Sequence, residues 1–244
     1  MDDCIIYTAG YSPAMSHCVQ ILKKAGFTLL SEPSMEVTHL LLPVPSFTPD
    51  GMIVGGGNLR TLLTLLPGNI TVIGGNLDCP ELVGYATVDL LQDESYLTAN
   101  ASITAYCAIK VALNQLPVTL DGCSVLVVGW GRIGKCLSRL LRQMGADVTV
   151  CTRKAKDRSI LSAMGYDALD FHQVDLTDYR VIYNTAPTMV FPTCPGNALK
   201  IDLASRLGLG SPDVIWARGL PGKDAPESSG ALIAKTVIPL FRKE

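Results

Sequence analysis

The run Val127-Val128-Gly129-Trp130-Gly131-Arg132-Ile133-Gly134 spaces three glycines as G-x-G-x-x-G, directly after an apolar strand pattern and directly before an amphipathic helical one. In that setting the first glycine permits a tight turn, the second lets a pyrophosphate approach the backbone, and the third lets helix and strand pack closely. Amide N–H groups at the start of the helix then face the phosphates, where the helix dipole adds attraction. Gly129, Gly131, Arg132, Ile133 and Gly134 are therefore expected to hold a dinucleotide.

Choice between the two nicotinamide cofactors is made at the end of the next strand, about 20 residues past the first glycine, where an acid would hold a ribose 2′-hydroxyl. This chain has Cys151-Thr152-Arg153-Lys154 there. With no carboxylate to repel a 2′-phosphate and two cations to pair with one, Thr152, Arg153 and Lys154 favour NADP, with NAD as the alternative. A further strand, Val181 to Thr185, ends in Asn184-Thr185-Ala186-Pro187. Ligands of open α/β sheets sit beyond the carboxyl ends of strands, so Asn184, Thr185, Ala186 and Pro187 are expected beside the nicotinamide half.

Short Val/Ile/Leu-rich runs alternate with helical patterns along the whole chain, the mark of an α/β protein built of βαβ units. Two sets are visible. The first has strand Cys4 to Ala9, a helix opened by Ser12-Pro13 and ending near Gly26, strands Phe27 to Leu30, His39 to Val44 and Ile70 to Gly74, and a helix from Asn58 to Leu66. The second has strand Ser124 to Val128, helix Arg132 to Met144, strand Asp147 to Cys151, helix Lys156 to Met164, and strands Val181 to Thr185, Lys200 to Leu203 and Val214 to Ala217. A helix from Asn100 to Gln115 joins them. The expected architecture is two doubly wound parallel-sheet domains, residues 1–99 and 100–227, the second a Rossmann fold. The closing helix, Ser228 to Phe241 within 228–244, is expected to return to the first domain. Gly55-Gly56-Gly57 reads as a flexible loop.

The 244 residues are 48% hydrophobic and 17% charged, enough for a substantial core, and a net charge of −2 offers no field for nucleic acid or an anionic membrane. Eight cysteines are spread without a C-x-x-C pair, so they read as reduced thiols, and no metal site is expected. The opening MDDCIIYTAGYS lacks the basic and long apolar regions of a signal peptide, and no apolar run reaches the roughly 18 residues of a membrane span. A cytoplasmic protein is expected.

A 2-hydroxyacid dehydrogenase would suit this outline, but it needs an imidazole near the substrate carbonyl. The three histidines, His17, His39 and His172, all precede the Asn184 turn. More specific pieces are Leu41-Leu42-Pro43-Val44-Pro45, Asn100-Ala-Ser-Ile-Thr104-Ala, Ile201-Asp202-Leu203-Ala204-Ser205-Arg206, and Gly219-Leu220-Pro221-Gly222-Lys223-Asp224-Ala225-Pro226 followed by Ser229-Gly230. Together with the glycine fingerprint and Asn184 to Pro187, they make the chain resemble the A subunits of bacterial dipicolinate synthase along nearly its whole length.

The resemblance implies a cytosolic oxidoreductase that transfers hydride from a dihydrodipicolinate to NADP, forming the dicarboxylate of bacterial spores. It also implies a flavoprotein-like working partner, the B subunit; the chain itself is expected to be a homo-oligomer. The product gains aromaticity, so positioning should dominate the chemistry, and no catalytic residue is assigned. Two substrate carboxylates call for donors. Arg206, beside Ser205 at a strand end, is the first candidate for a bidentate clamp. Asn100 and Thr104, one helical turn apart, are candidates for substrate or nicotinamide contacts, although Asn100 could instead cap the helix. Pro43, Val44 and Pro45 would line the opposite wall of the cleft, and Leu220, Pro221 and Gly222 would border the cofactor. One departure is Tyr106-Cys107, where members of this family commonly have Glu-Gly. It leaves open a related oxidoreductase acting on another small carboxylate, or a non-catalytic cofactor-binding subunit.

Overall fold

The computed structural model describes residues 4–242, so the first three residues of the opening segment and the last two of the closing helix lie outside the described residues. The chain divides into two compact units, residues 1–100 with 221–244, and residues 101–220. The chain thus leaves the second unit at Pro221, ahead of the closing helix, and the expected boundary at 227 falls inside the returning segment.

The first unit contains β1 (Ile5–Thr8), α1 (Pro13–Lys24), β2 (Thr28–Leu30), β3 (His39–Leu41), α2 (Leu59–Leu63), β4 (Thr71–Gly74) and β5 (Ala86–Asp89). Its five strands are all parallel in the order β2-β1-β3-β4-β5. That is the flavodoxin-like doubly wound order. α1 starts where the sequence sets its signals: Ser12 Oγ accepts from the Met15 N–H at 3.1 Å, and Pro13 fills the first turn. β3 stops short of the expected Val44, because Pro43 has no N–H to continue the ladder. Gly55-Gly56-Gly57 forms an exposed turn in which the Gly56 N–H donates to the Ile53 carbonyl at 2.9 Å. All three have positive φ, and a Cβ on Gly55 would lie 2.1 Å from the Tyr11 nitrogen.

α3 (Glu94–Gln115) begins six residues before the expected Asn100. Its first turn is held by Asp93, whose carboxylate accepts from the Tyr96 N–H at 2.7 Å, so Asn100 lies inside the helix and does not cap it.

The second unit continues with β6 (Ser124–Val128), α4 (Arg132–Gln143), β7 (Asp147–Cys151), α5 (Ala155–Ala163), β8 (Asp167–Leu169), β9 (Val181–Asn184), β10 (Leu199–Asp202) and β11 (Ile215–Trp216). These six parallel strands run β8-β7-β6-β9-β10-β11, the 3-2-1-4-5-6 order of the Rossmann fold. Val125 to Val128 are fully buried, as a central strand covered on both faces requires. α4 buries Leu137, Leu140 and Leu141 and turns Arg132, Lys135, Arg139 and Arg142 outward.

The chain then forms α6 (Leu220–Asp224), a short helix, and α7 (Pro226–Phe241). α7 packs on α1 so closely that a Cβ on Gly230 would lie 2.4 Å from the Ala14 carbonyl oxygen. Ile233, Ala234, Val237 and Phe241 complete the core beside Ile6, Met15, Cys18 and Leu22. No described helix is long and apolar enough to cross a membrane.

Candidate dinucleotide-binding site

The three glycines of the fingerprint differ in their surroundings. Gly129 has φ of 99°, and a Cβ there would lie 2.6 Å from Thr185 Oγ1. A Cβ on Gly134 would lie 2.2 Å from the Gly129 carbonyl oxygen, so β6 and α4 pack in contact at this point. Gly131 alone is open, with nothing within 4 Å of its Cβ position. It is the N-cap of α4, and no side chain accepts a hydrogen bond there. With no side-chain cap at this open glycine, the head of α4 suits an anion such as a diphosphate.

Trp130, between the first two glycines, sets its ring edge-on to Tyr166 with centroids 5.9 Å apart, and Arg142 stacks on the same tyrosine, its Cζ 4.6 Å from the Tyr166 centroid. The glycine loop is thereby braced from outside. From inside it is held by Thr185, whose Oγ1 donates to the Val128 carbonyl at 2.9 Å. Val128 and Asn184 are register partners across β6 and β9, where the strand order reverses, the place where an open sheet leaves a crevice.

At the Asn184 corner, the Asn184 side chain is fully buried and committed to protein partners. Its Nδ2 donates to the Ala186 carbonyl at 3.0 Å and to Asp202 Oδ2 at 2.9 Å, while Oδ1 accepts from the Ala186 N–H at 3.1 Å. Asn184 thus shapes the turn through its side-chain amide. Thr185 and Ala186 are half-buried and Pro187 is exposed.

At the end of β7, Thr152 is buried while Arg153 and Lys154 are exposed. The residue that shapes this turn is Arg158, which no motif in the sequence marks. Its Nη1 donates to the Thr152 carbonyl, the Arg153 carbonyl and Asp170 Oδ2, each at 2.8 Å. Only the pattern of an acid ending one strand and an arginine in the preceding helix could have signalled it. Beside it, burial pushes the Cys151 thiol up to about 12, so it is a neutral packing group.

The remaining candidates are distributed as follows. Arg132 is exposed and Ile133 half-buried. Ser205 and Arg206 are exposed on the turn after β10. On α3, Asn100 is half-buried as the last residue of the first unit's opening segment, and Thr104 is buried in the second unit. Pro43 is buried, Val44 half-buried and Pro45 exposed at the exit of β3. Leu220 is buried and closes the second unit, whereas Pro221 and Gly222 open the return segment.

No protein-family model matches the chain. A curated relative, the A subunit of dipicolinate synthase from Bacillus subtilis (strain 168), is 26% identical over 238 residues, covering 86% of this chain and 79% of that protein. The solved structure of the corresponding protein from Bacillus halodurans superposes with a TM-score of 0.84 at 21% identity, covering 100% of this chain and 99% of that one. The resemblance to the dipicolinate synthase A subunits holds. The solved Bacillus subtilis structure gives a TM-score of 0.80 at 20% identity, over 99% of this chain and 96% of that one. Transhydrogenase from Sinorhizobium meliloti shares the fold more distantly, with a TM-score of 0.66 at 14% identity over 97% and 93% of the two chains. Two parallel sheets with interleaved helices are thus common to the dipicolinate synthase A subunits, this chain and an oxidoreductase of another name.

Proposed function

We propose that the chain is an NADP-dependent oxidoreductase of the dipicolinate synthase A-subunit type, converting a dihydrodipicolinate to dipicolinate. The observation that carries the reading is the contrast among the glycines: Gly129 and Gly134 are filled by protein, while Gly131 alone opens at the head of a helix. A nicotinamide cofactor bound there would supply the hydride acceptor, and the proton lost as the substrate ring becomes aromatic would go to solvent. The chain's own residues bind and orient. The head of α4 would hold the diphosphate, Arg153 and Lys154 would pair with a 2′-phosphate, and Thr185 to Pro187 would border the nicotinamide. Arg206, exposed beyond β10, takes a substrate carboxylate.

The Bacillus subtilis relative is named for one component of a synthase, which supports a B-type partner for this chain as well. Eight free cysteines support a reducing, cytosolic setting. Purified protein incubated with enzymatically generated dihydrodipicolinate and NADP should form dipicolinate faster than the spontaneous rate. Equal rates with and without protein would remove the proposal.

Tyr106 favours one second reading. It is 60% exposed on α3, at a position where the family commonly has an acid. A phenol donates a hydrogen bond but is a poor base near neutral pH, so this reading has the same cofactor oxidising a different small carboxylate. Saturable NADP binding with turnover of another acid, and none of dihydrodipicolinate, would select it.

A further inference from the structure

Trp216 and Arg218, at the exit of the last strand of the second unit, belong to neither motif that led to the site. Arg218 is exposed, and its Cζ lies 5.2 Å from the centroid of the Trp216 ring, within cation–π range. The same indole donates its Nε1–H to the Ala204 carbonyl at 3.0 Å. Ala204 opens the turn that carries Ser205 and Arg206, so one ring orients one arginine and anchors the support of the other.

Asp202 ties the two turns together from beneath. Its buried carboxylate accepts from the Ala204 N–H at 3.0 Å and the Gly208 N–H at 2.7 Å, fixing both ends of the Arg206 turn. Its backbone carbonyl accepts from the Ala217 N–H at 2.8 Å, fixing the residue before Arg218. Asp202 and Trp216 are register partners, so both turns leave the same edge of the sheet side by side. Neither turn, 203–208 or 217–219, contains an acid, and neither guanidinium has a hydrogen-bond or ion-pair partner among the described residues.

Two permanently charged forks without counter-ions, on turns both tied to Asp202, suit a ligand with two negative charges. We infer that Arg218, oriented by Trp216, is the second carboxylate-binding cation beside Arg206, and that this pair makes the second unit select small dianions over monoanions. The inference rests on the dicarboxylate reading above and adds to it the residue that decides charge selectivity. Trp216 is its positioning residue.

The test is calorimetric titration of the NADP-loaded full chain with pyridine-2,6-dicarboxylate and pyridine-2-carboxylate. Wild type should favour the dicarboxylate by about tenfold or more, and Arg218→Met should lose most of that preference while holding the monocarboxylate within about threefold. Arg218→Lys, which keeps charge but not the planar stack, should recover only part of it. Trp216→Phe, which keeps a ring but not the N–H, should fall between wild type and Arg218→Met. Thermal unfolding and NADP affinity of each variant report that the fold is intact. A wild type that prefers the dicarboxylate, with an Arg218→Met protein that prefers it equally, overturns the role of Arg218 and leaves the dicarboxylate reading standing. A wild type that does not distinguish the two acids overturns both.

Discussion

The side-chain amide of Asn184 donates to the carboxylate of Asp202 at 2.9 Å, where β9 and β10 end in register. Through this bond the turn beside the proposed nicotinamide position and the turn bearing Arg206 share one buried anchor. Asp202→Asn can keep its oxygen toward Asn184 and Gly208, but its amide nitrogen then faces the Ala204 N–H, donor against donor. The loss should be about 3 kcal/mol, seen as a thermal midpoint lowered by roughly 5–10 °C. Dicarboxylate affinity should fall with it. An unchanged midpoint would show that the pair carries no such load.

The open and filled glycines give opposite outcomes for substitution. Gly131→Asp has room for its side chain, so the protein should fold with a near-native midpoint yet lose dinucleotide binding, because a carboxylate then stands where the diphosphate approaches. Gly134→Ala sets a Cβ against the Gly129 carbonyl and should lower both stability and affinity. Nucleotide titrations followed by Trp130 fluorescence, beside thermal melts, separate the two.

Arg158 supplies a sharper check of the cofactor than Arg153 or Lys154, because it holds the turn without reaching outward. Arg158→Gln frees the Thr152 and Arg153 carbonyls and removes the ion-pair partner of Asp170. A loosened turn presents its cations less well, so NADP affinity should fall by about tenfold while NAD affinity changes by less than about threefold. Equal losses for both cofactors would reduce Arg158 to a support of the fold.

Much of this arrangement could be read from the sequence, and what could not shares a physical cause. The Val125 to Val128 run, the spacing of Leu137, Leu140 and Leu141, and the glycine triplet are local patterns that survive folding unchanged. β5 and β8 escaped because each is a short edge strand, exposed in part, whose residues need no apolar run. The start of α3 was masked by a cap at Asp93 that precedes the periodic stretch. Arg158 with Asp170, Asn184 with Asp202 and Trp216 with Ala204 are pairs 12 to 18 residues apart in sequence, joined only when neighbouring strands end at one level. The partner of the Asn184 amide was not legible, since a strand-end amide can equally face a ligand or the next strand.

Alkaline pH should unfold the protein through its buried thiols. Burial pushes both Cys18 and Cys151 up to about 12 from an ordinary value of 9.0. Below pH 9 folded and unfolded chains both keep these protons, and between about 9 and 12 only the folded chain does, so stability is lost as pH rises. Thermal midpoints should decline from about pH 8.5 to about 10.5, and the decline should be shallower in Cys18→Ala and Cys151→Ala. Parallel slopes in wild type and both variants would assign the alkaline transition elsewhere.

Gly230 tests whether the closing helix is part of the first unit's core. Its Cβ position lies 2.4 Å from the Ala14 carbonyl oxygen, 2.7 Å from the His17 Cβ and 2.9 Å from the Cys18 nitrogen, so any side chain must push α7 away from α1. Both helices bury apolar residues in this contact, including Cys18, Leu22, Ile233 and Val237, and the core cannot follow without opening a void. Gly230→Ala should cost about 1–2 kcal/mol and Gly230→Val about 3 kcal/mol, measured by denaturant titration. Because the glycine fingerprint belongs to the other unit, nucleotide affinity should stay within about twofold of wild type in both variants under folding conditions. A Gly230→Val protein as stable as wild type would mean that α7 does not seat on α1 in solution.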